Sequence, residues 1–158
     1  MYAGHIGIAT GARARRPDVP LALLIVAALL PDLLVHPVFH TVPAVVVLVV
    51  AAYVVGLRRW DREVAMVLSA LVASHFLVDL LTSNLDVWPG GDVEIGLGLY
   101  DVPLLDFALE GTVIILGWLA WRRSLQGALA QRTRPMLVLL LASQAVFALF
   151  VSGTANSR

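Results

Sequence analysis

Five apolar runs, at 20–35, 43–57, 64–82, 104–121 and 136–152, are separated by short links that alternate between arginine-rich and arginine-free. No other feature of the chain restricts its fold as much. Each run is near the roughly 20 residues with which a helix crosses a bilayer, and a helix satisfies its own backbone N–H and C=O groups where no water can. The composition agrees: 59% of residues are hydrophobic and 14% charged, with a mean hydropathy of +0.87. That is more apolar and less charged than a soluble domain. A length of 158 residues allows one integral membrane domain, 1–158.

Arginine sets the expected orientation. There is no lysine; "RARR" (13–16), "RRWDR" (58–62) and "RRSLQGALAQRTR" (122–134) hold nearly all the arginines, whereas "HPVFHT" and "SNLDVWPGGDVEIGLGLYDVP" hold none. Basic links stay on the cytoplasmic side, so three lie inside, two outside, and the C-terminus is expected outside. Trp60, Trp118 and Trp121 then fall near the inner boundary, and Trp88 and Tyr100 near the outer one. Residues 1–12 form at most about 18 Å of helix, too short to span. Ala3, Gly7 and Gly11 are spaced four apart, a stripe of small residues that permits close helix packing. The expected fold is therefore all-α: a polytopic membrane helix bundle of about five transmembrane helices plus a short, half-inserted N-terminal helix.

Several function classes fall away. With no cysteine, disulfides and thiolate metal sites are excluded. The arginine clusters are short and explained by topology, so no nucleic-acid partner is expected. A cleavable leader is not expected either. "MYAGHIG" lacks a basic start, and Pro31-Asp32 stands where the small cleavage-site residues of a signal would be needed.

The runs nevertheless carry polar groups. His75 and Asp79 stand four apart in "SHFLVDLLTS", as do Asp106 and Glu110 in "DFALE"; Asp32 follows Pro31, and His36 and His40 flank the first outer link. A spacing of four puts two side chains on one helix face. Counting about 1.5 Å per residue from the nearest inner arginine puts His75, Asp79, Asp32, Asp106 and Glu110 all about 18–25 Å up, in the outer half of the membrane. His5 comes out lower, about 12 Å from Arg13. A single polar residue in a span is often glue between helices, and an acid early in a helix suits its N-terminus. The set is different because its charges do not balance. Asp32, Asp79, Asp106 and Glu110 face no Arg or Lys within any run. Either protons or cations must offset them. Two divalent ions would neutralise four carboxylates, and imidazole nitrogens with carboxylate oxygens are a ligand mixture that Zn²⁺, Mn²⁺ or Fe²⁺ accepts. His75 and Asp79 are thus expected to hold a metal.

"HIGIATG", "ALLPDLL", the His36–His40 link and "SHFLVDLLTSNLDVWP" together resemble the YdjM-like predicted membrane-bound metal-dependent hydrolases. Their pattern is an N-terminal His, a Pro-Asp after an apolar run, a Thr-His-Ser turn and Ser-His-x-x-x-Asp in a helix. The resemblance covers roughly residues 1–123 and leaves the fifth run outside. Here the turn reads "HPVFHT", and Leu34 stands where the family has a second acid. More distantly, the order of polar residues is similar to zinc-dependent phospholipase C. That likeness implies His5, Asp32, His40, His75 and Asp79 as metal ligands, with Asp106 and Glu110 where a His and a Glu usually stand.

The resulting expectation is a membrane-embedded hydrolase with one or two divalent ions, zinc first. It would act on an ester or phosphoester, a lipid headgroup by preference, at the outer leaflet of a bacterial inner membrane. Asp32, His75 and Asp79 form the core of its site, His5 and His40 come next, and Asp106 or Glu110 completes the shell or serves as general base. The rival expectations are an ion or proton transporter and a structural membrane protein that uses polar residues to join helices.

Overall fold

The computed structural model describes residues 2–34 and 36–155, and it is helical nearly throughout. Helix α1 (Tyr2–Arg15) is followed by α2 (Leu21–Ala28) and the single turn α3 (Leu30–Leu33), then a 3₁₀ turn at Pro37–His40. Two long helices come next, α4 (Val42–Arg59) and α5 (Arg62–Thr82). A minimal antiparallel ribbon pairs β1 (Leu85–Asp86) with β2 (Glu94–Ile95), Leu85 opposite Ile95. The chain finishes with α6 (Pro103–Ser124), the turn α7 (Ala128–Gln131) and α8 (Arg134–Ala155).

Among the described residues, four segments are long and apolar enough to cross a membrane: Val42–Arg59, Arg62–Thr82, Pro103–Ser124 and Ala128–Phe150. They correspond to the second to fifth runs. The first run does not form one straight helix. Proline lacks the N–H that would continue the ladder, and the chain leaves helical geometry at Leu29, two residues before Pro31. Met1, Val35 and the C-terminal residues 156–158, including the terminus expected outside, lie outside the described residues. The outward surface is what a bilayer requires. Val47 on α4, Leu104 and Leu116 on α6, and Leu139 and Leu149 on α8 are all more than 60% exposed, and as a continuous surface they would not be tolerated in water.

Helix α1 is the hub. It packs against α6 most closely, and also against α2, α5 and α8, burying Ala3, Gly4, His5, Gly7, Ala9 and Thr10. The stripe of small residues explains how. A Cβ on Gly7 would stand 2.8 Å from the Ile114 Cα, and one on Gly117 would strike the Gly7 carbonyl. The two backbones touch because neither residue has a side chain. On the other side of α1, Ala9 joins Val19, Leu24, Ala27, Ala28, Val64, Leu68 and Leu71 in a closed apolar core.

The arginine-rich end is pinned by Arg16. Its guanidinium grips Asp61 with both terminal nitrogens, at 3.1 and 3.0 Å, and also bonds Asp18 and Glu63. Asp61 in turn accepts the Val64 N–H at 2.8 Å and so caps α5. The Arg16 guanidinium beside it, then that capping bond, hold the Asp61 carboxyl down at about 2. The same guanidinium lowers Asp18.

Candidate metal centre

Four elements each deliver one or two polar side chains to the end of the bundle away from Arg16. His5 comes from α1, two residues before the closely packed Gly7. Asp32 comes from α3, directly after the break at Pro31. His40 comes from the 3₁₀ turn, and His75 and Asp79 come from successive turns of α5. His5 and His75 are fully buried, Asp79 is 5% exposed, and Asp32 and His40 are half-buried.

Four atoms among these side chains face one point. His75 Nε2 lies 3.1 Å from Asp79 Oδ2, 3.6 Å from Asp32 Oδ1 and 3.4 Å from His40 Nε2. His40 Nε2 lies 3.1 Å from Asp32 Oδ1 and 3.7 Å from Asp79 Oδ2. These are five of the six edges of a tetrahedron. A tetrahedral cation bound at about 2.0–2.2 Å spaces its ligands roughly 3.3–3.6 Å apart, and the five edges scatter around that range. The donors are two imidazole nitrogens and two carboxylate oxygens, a mixture suited to Zn²⁺.

The proton on His75 sharpens this. His75 Nδ1 lies 2.8 Å from the Ala28 carbonyl, which can only accept, so Nδ1 carries the hydrogen. Neutral His75 then presents a bare lone pair at Nε2 to two carboxylate oxygens and a second imidazole. Such a gathering of electron-rich atoms repels itself unless a cation or an added proton sits among them. A backbone carbonyl on the far nitrogen is also the usual way in which a ligating histidine is oriented.

His5 occupies a neighbouring position. Its ring stacks on His75, with centroids 4.0 Å apart, and Nε2 meets the other oxygen of Asp79, Oδ1, at 3.2 Å. A bond there fixes the Asp79 carboxylate while Oδ2 faces the four-atom cluster. His5 Nδ1 and Asp32 Oδ2 are buried and have no hydrogen-bond partner among the described residues. Ligand atoms of His5, Asp32 and His75 also fall within 4.8 Å of one another, as do those of His40, His75 and Asp79. Both groupings share His75. These buried His and Asp groups can hold a metal ion.

All five residues expected as ligands therefore converge. Of the two histidines in the link, His40 joins them and His36 does not; His36 is exposed, and its Nδ1 accepts the Val38 N–H at 3.3 Å, capping the 3₁₀ turn. Asp106 and Glu110 fall outside both groupings. They are buried on α6, where Asp106 Oδ2 accepts from Gln144 Nε2 of α8 at 3.1 Å. The Glu110 carboxylate lies against Gly4, near enough that a Cβ there would stand 3.2 Å from its Cδ. Asp106 Oδ1 and both Glu110 oxygens have no hydrogen-bond partner among the described residues. Gln144 and the Ala28 carbonyl are the functional groups that sequence reasoning misses. Gln144 is a lone amide in an apolar run, and that was its available signal; a backbone carbonyl leaves none.

No protein family, curated protein or solved structure matches the chain.

Proposed function

We propose that this protein is a membrane-embedded, metal-dependent hydrolase of the YdjM-like type. It would cleave an ester or phosphoester, with a lipid headgroup at the outer leaflet of a bacterial inner membrane as the substrate class that suits its depth. The observation that carries this reading is the set of five separations of 3.1–3.7 Å among His40 Nε2, His75 Nε2, Asp32 Oδ1 and Asp79 Oδ2. In this reading the four side chains hold one divalent ion, zinc first, and His5 orients Asp79 or serves a second ion. When bound, the metal would polarise the ester and lower the pKa of water. The chain's own residues do the rest. Ala28 keeps His75 in the Nδ1–H tautomer, the closed core of α1, α2 and α5 keeps water from the inner side, and Glu110, with both oxygens free of hydrogen bonds among the described residues, moves the proton. The bent pair α2–α3 counts as a fifth crossing, which puts the C-terminus outside.

A structural role draws on one observation, the Asp106–Gln144 bond, which joins α6 to α8 as polar glue does. One experiment separates the two. Purified protein is assayed for bound metal and for hydrolysis of a panel of phospholipids, before and after chelation and metal return. The enzyme reading expects about one or two ions per chain and headgroup release that chelation abolishes and zinc restores. Metal without hydrolysis on any ester refutes the enzyme, and absence of metal refutes the centre itself.

A further inference from the structure

A groove of about 530 Å³ runs along the bundle between α1, α5 and α6. It starts just below His5, His75 and Glu110, at Ile8, Ser74 and Val113, and ends at Arg15. Its origin is steric. Helices α5 and α6 scarcely touch each other directly, because α1 lies between them and packs closely on α6. Small residues on all three helices leave room for the groove: Gly11 and Ala12 from α1, Ala70 from α5, Gly117 and Ala120 from α6. Ser74, the one hydroxyl on its wall, is satisfied by the Leu71 carbonyl at 2.8 Å. Apart from Arg15, the walls therefore present hydrocarbon and, among the described residues, no unmet polar group. The volume lies within the roughly 300–1,000 Å³ of ligand pockets.

One end of the groove is charged. Of the three arginines in "RARR", Arg13 bonds the Val19 carbonyl and Arg16 is committed to Asp18, Asp61 and Glu63. Arg15 is exposed and makes no hydrogen bond or ion pair among the described residues. A hydrocarbon channel that ends on an unpaired guanidinium is complementary to one kind of membrane component: a chain with an anionic head. Guanidinium pairs with phosphate through two parallel N–H bonds, and basic pockets between membrane helices take anionic headgroups.

We infer that this groove binds an anionic phospholipid of the leaflet on the arginine-rich side, with its phosphate on Arg15 and one acyl chain lying between α5 and α6 up to the foot of the His/Asp cluster. The lipid fills the space that α1 leaves between these two helices, and so braces the helices that carry His75, Asp79 and Glu110. This site is independent of the hydrolase reading. Its headgroup end, at Arg15, lies opposite the proposed outward-facing centre, and binding needs no turnover.

The test uses the purified full chain in detergent, offered phosphatidylglycerol or phosphatidylcholine of the same acyl composition. Retained lipid is counted by native mass spectrometry and thermal stability is followed in parallel. Wild type should retain phosphatidylglycerol in preference. Arg15→Gln should lower that preference about five-fold, the effect of one basic residue at a charged membrane surface, and leave phosphatidylcholine retention unchanged. Ala70→Leu with Ala120→Leu fills the groove from two exposed positions and should lower retention of both lipids. The cooperative thermal transition, followed on the same samples, reports whether each variant is folded. Equal retention of the two lipids by wild type overturns the inference without recourse to any variant. Retention that neither variant changes also overturns it, and marks the lipid as an unspecific annulus.

Discussion

Asp79→Asn tests the metal centre at its most connected residue. Asp79 places Oδ2 3.1 Å from His75 Nε2 and 3.7 Å from His40 Nε2, while Oδ1 meets His5 at 3.2 Å. The substitution keeps the shape and leaves an amide that can still bond His5, but removes the charge and the anionic donor. Structural zinc sites with four ligands bind with about 10–16 kcal/mol, so one ligand is worth about 3–4 kcal/mol, or two to three orders of magnitude in Kd. Competition against a chromogenic chelator measures that loss directly. Asp106→Asn is the comparator, since Asp106 is equally buried and acidic but bonds Gln144 rather than the cluster; its effect should stay within about three-fold, or 0.6 kcal/mol. Insertion depends on apolar length and should survive both changes. If Asp79→Asn binds zinc like wild type, or Asp106→Asn loses as much, the four-atom site is wrong.

The cysteine-free chain allows single-cysteine labelling: Asp92→Cys should react with an impermeant maleimide in intact cells and Ala128→Cys only after permeabilisation, and the reverse pattern overturns the orientation. Gly7→Ala forces a methyl against the Ile114 backbone at 2.8 Å, whereas Gly11→Ala meets Gly117 at an ordinary 3.5 Å; thermal denaturation should show a loss of about 1–3 kcal/mol for the first and little for the second. Because Arg16 holds Asp61 down at about 2, against about 3.9 in an unfolded chain, the stability from this pair is complete above about pH 4 and lost as pH falls towards 2. The gap in stability between wild type and Arg16→Gln should therefore narrow over that window, and a constant gap refutes the coupling. Pro31→Ala should let the helix run on and weaken zinc binding about 10–100-fold, as losing an outer partner of a ligand does; unchanged binding would show that the break is irrelevant to the site.

The long spans were legible because crossing a bilayer depends on apolar length, a local property of sequence. His75 and Asp79 were legible as a pair for the same reason, since a spacing of four fixes a common face whatever the tertiary fold. The choice between His36 and His40 was not. It depends on a 3₁₀ turn that carries His40 back to Asp32 and leaves His36 to cap the turn. Depth counted along each helix left His5 lower than the other ligands, a gap that tilt could close. From Arg16 to His5 the rise is about 16 Å, and from Asp61 to Asp79 about 27 Å; yet Arg16 bonds Asp61 at one end and His5 bonds Asp79 at the other. Tilt and side-chain reach absorb that difference, and neither is written in spacing. Trp118 shows the limit of composition. Expected near the inner boundary, it is also buried against the protein, with its Nε1–H on Thr133 Oγ1 at 2.9 Å and Arg122 over its ring.

The one run that fails to make a straight span is also the one that completes the cluster. In an unbroken helix the Ala28 carbonyl would accept the Asp32 N–H. Pro31 opens a second helix in its own first turn, where a missing N–H does no harm, and the Ala28 carbonyl accepts instead from His75 Nδ1. The same break directs Asp32 at His40 and His75. A buried carbonyl left without a donor would cost about as much as a lost hydrogen bond, and an imidazole with a free Nδ1 would have no fixed tautomer. Joined, each satisfies the other. The irregularity therefore cannot be removed without loosening the histidine that both groups of candidate ligands share.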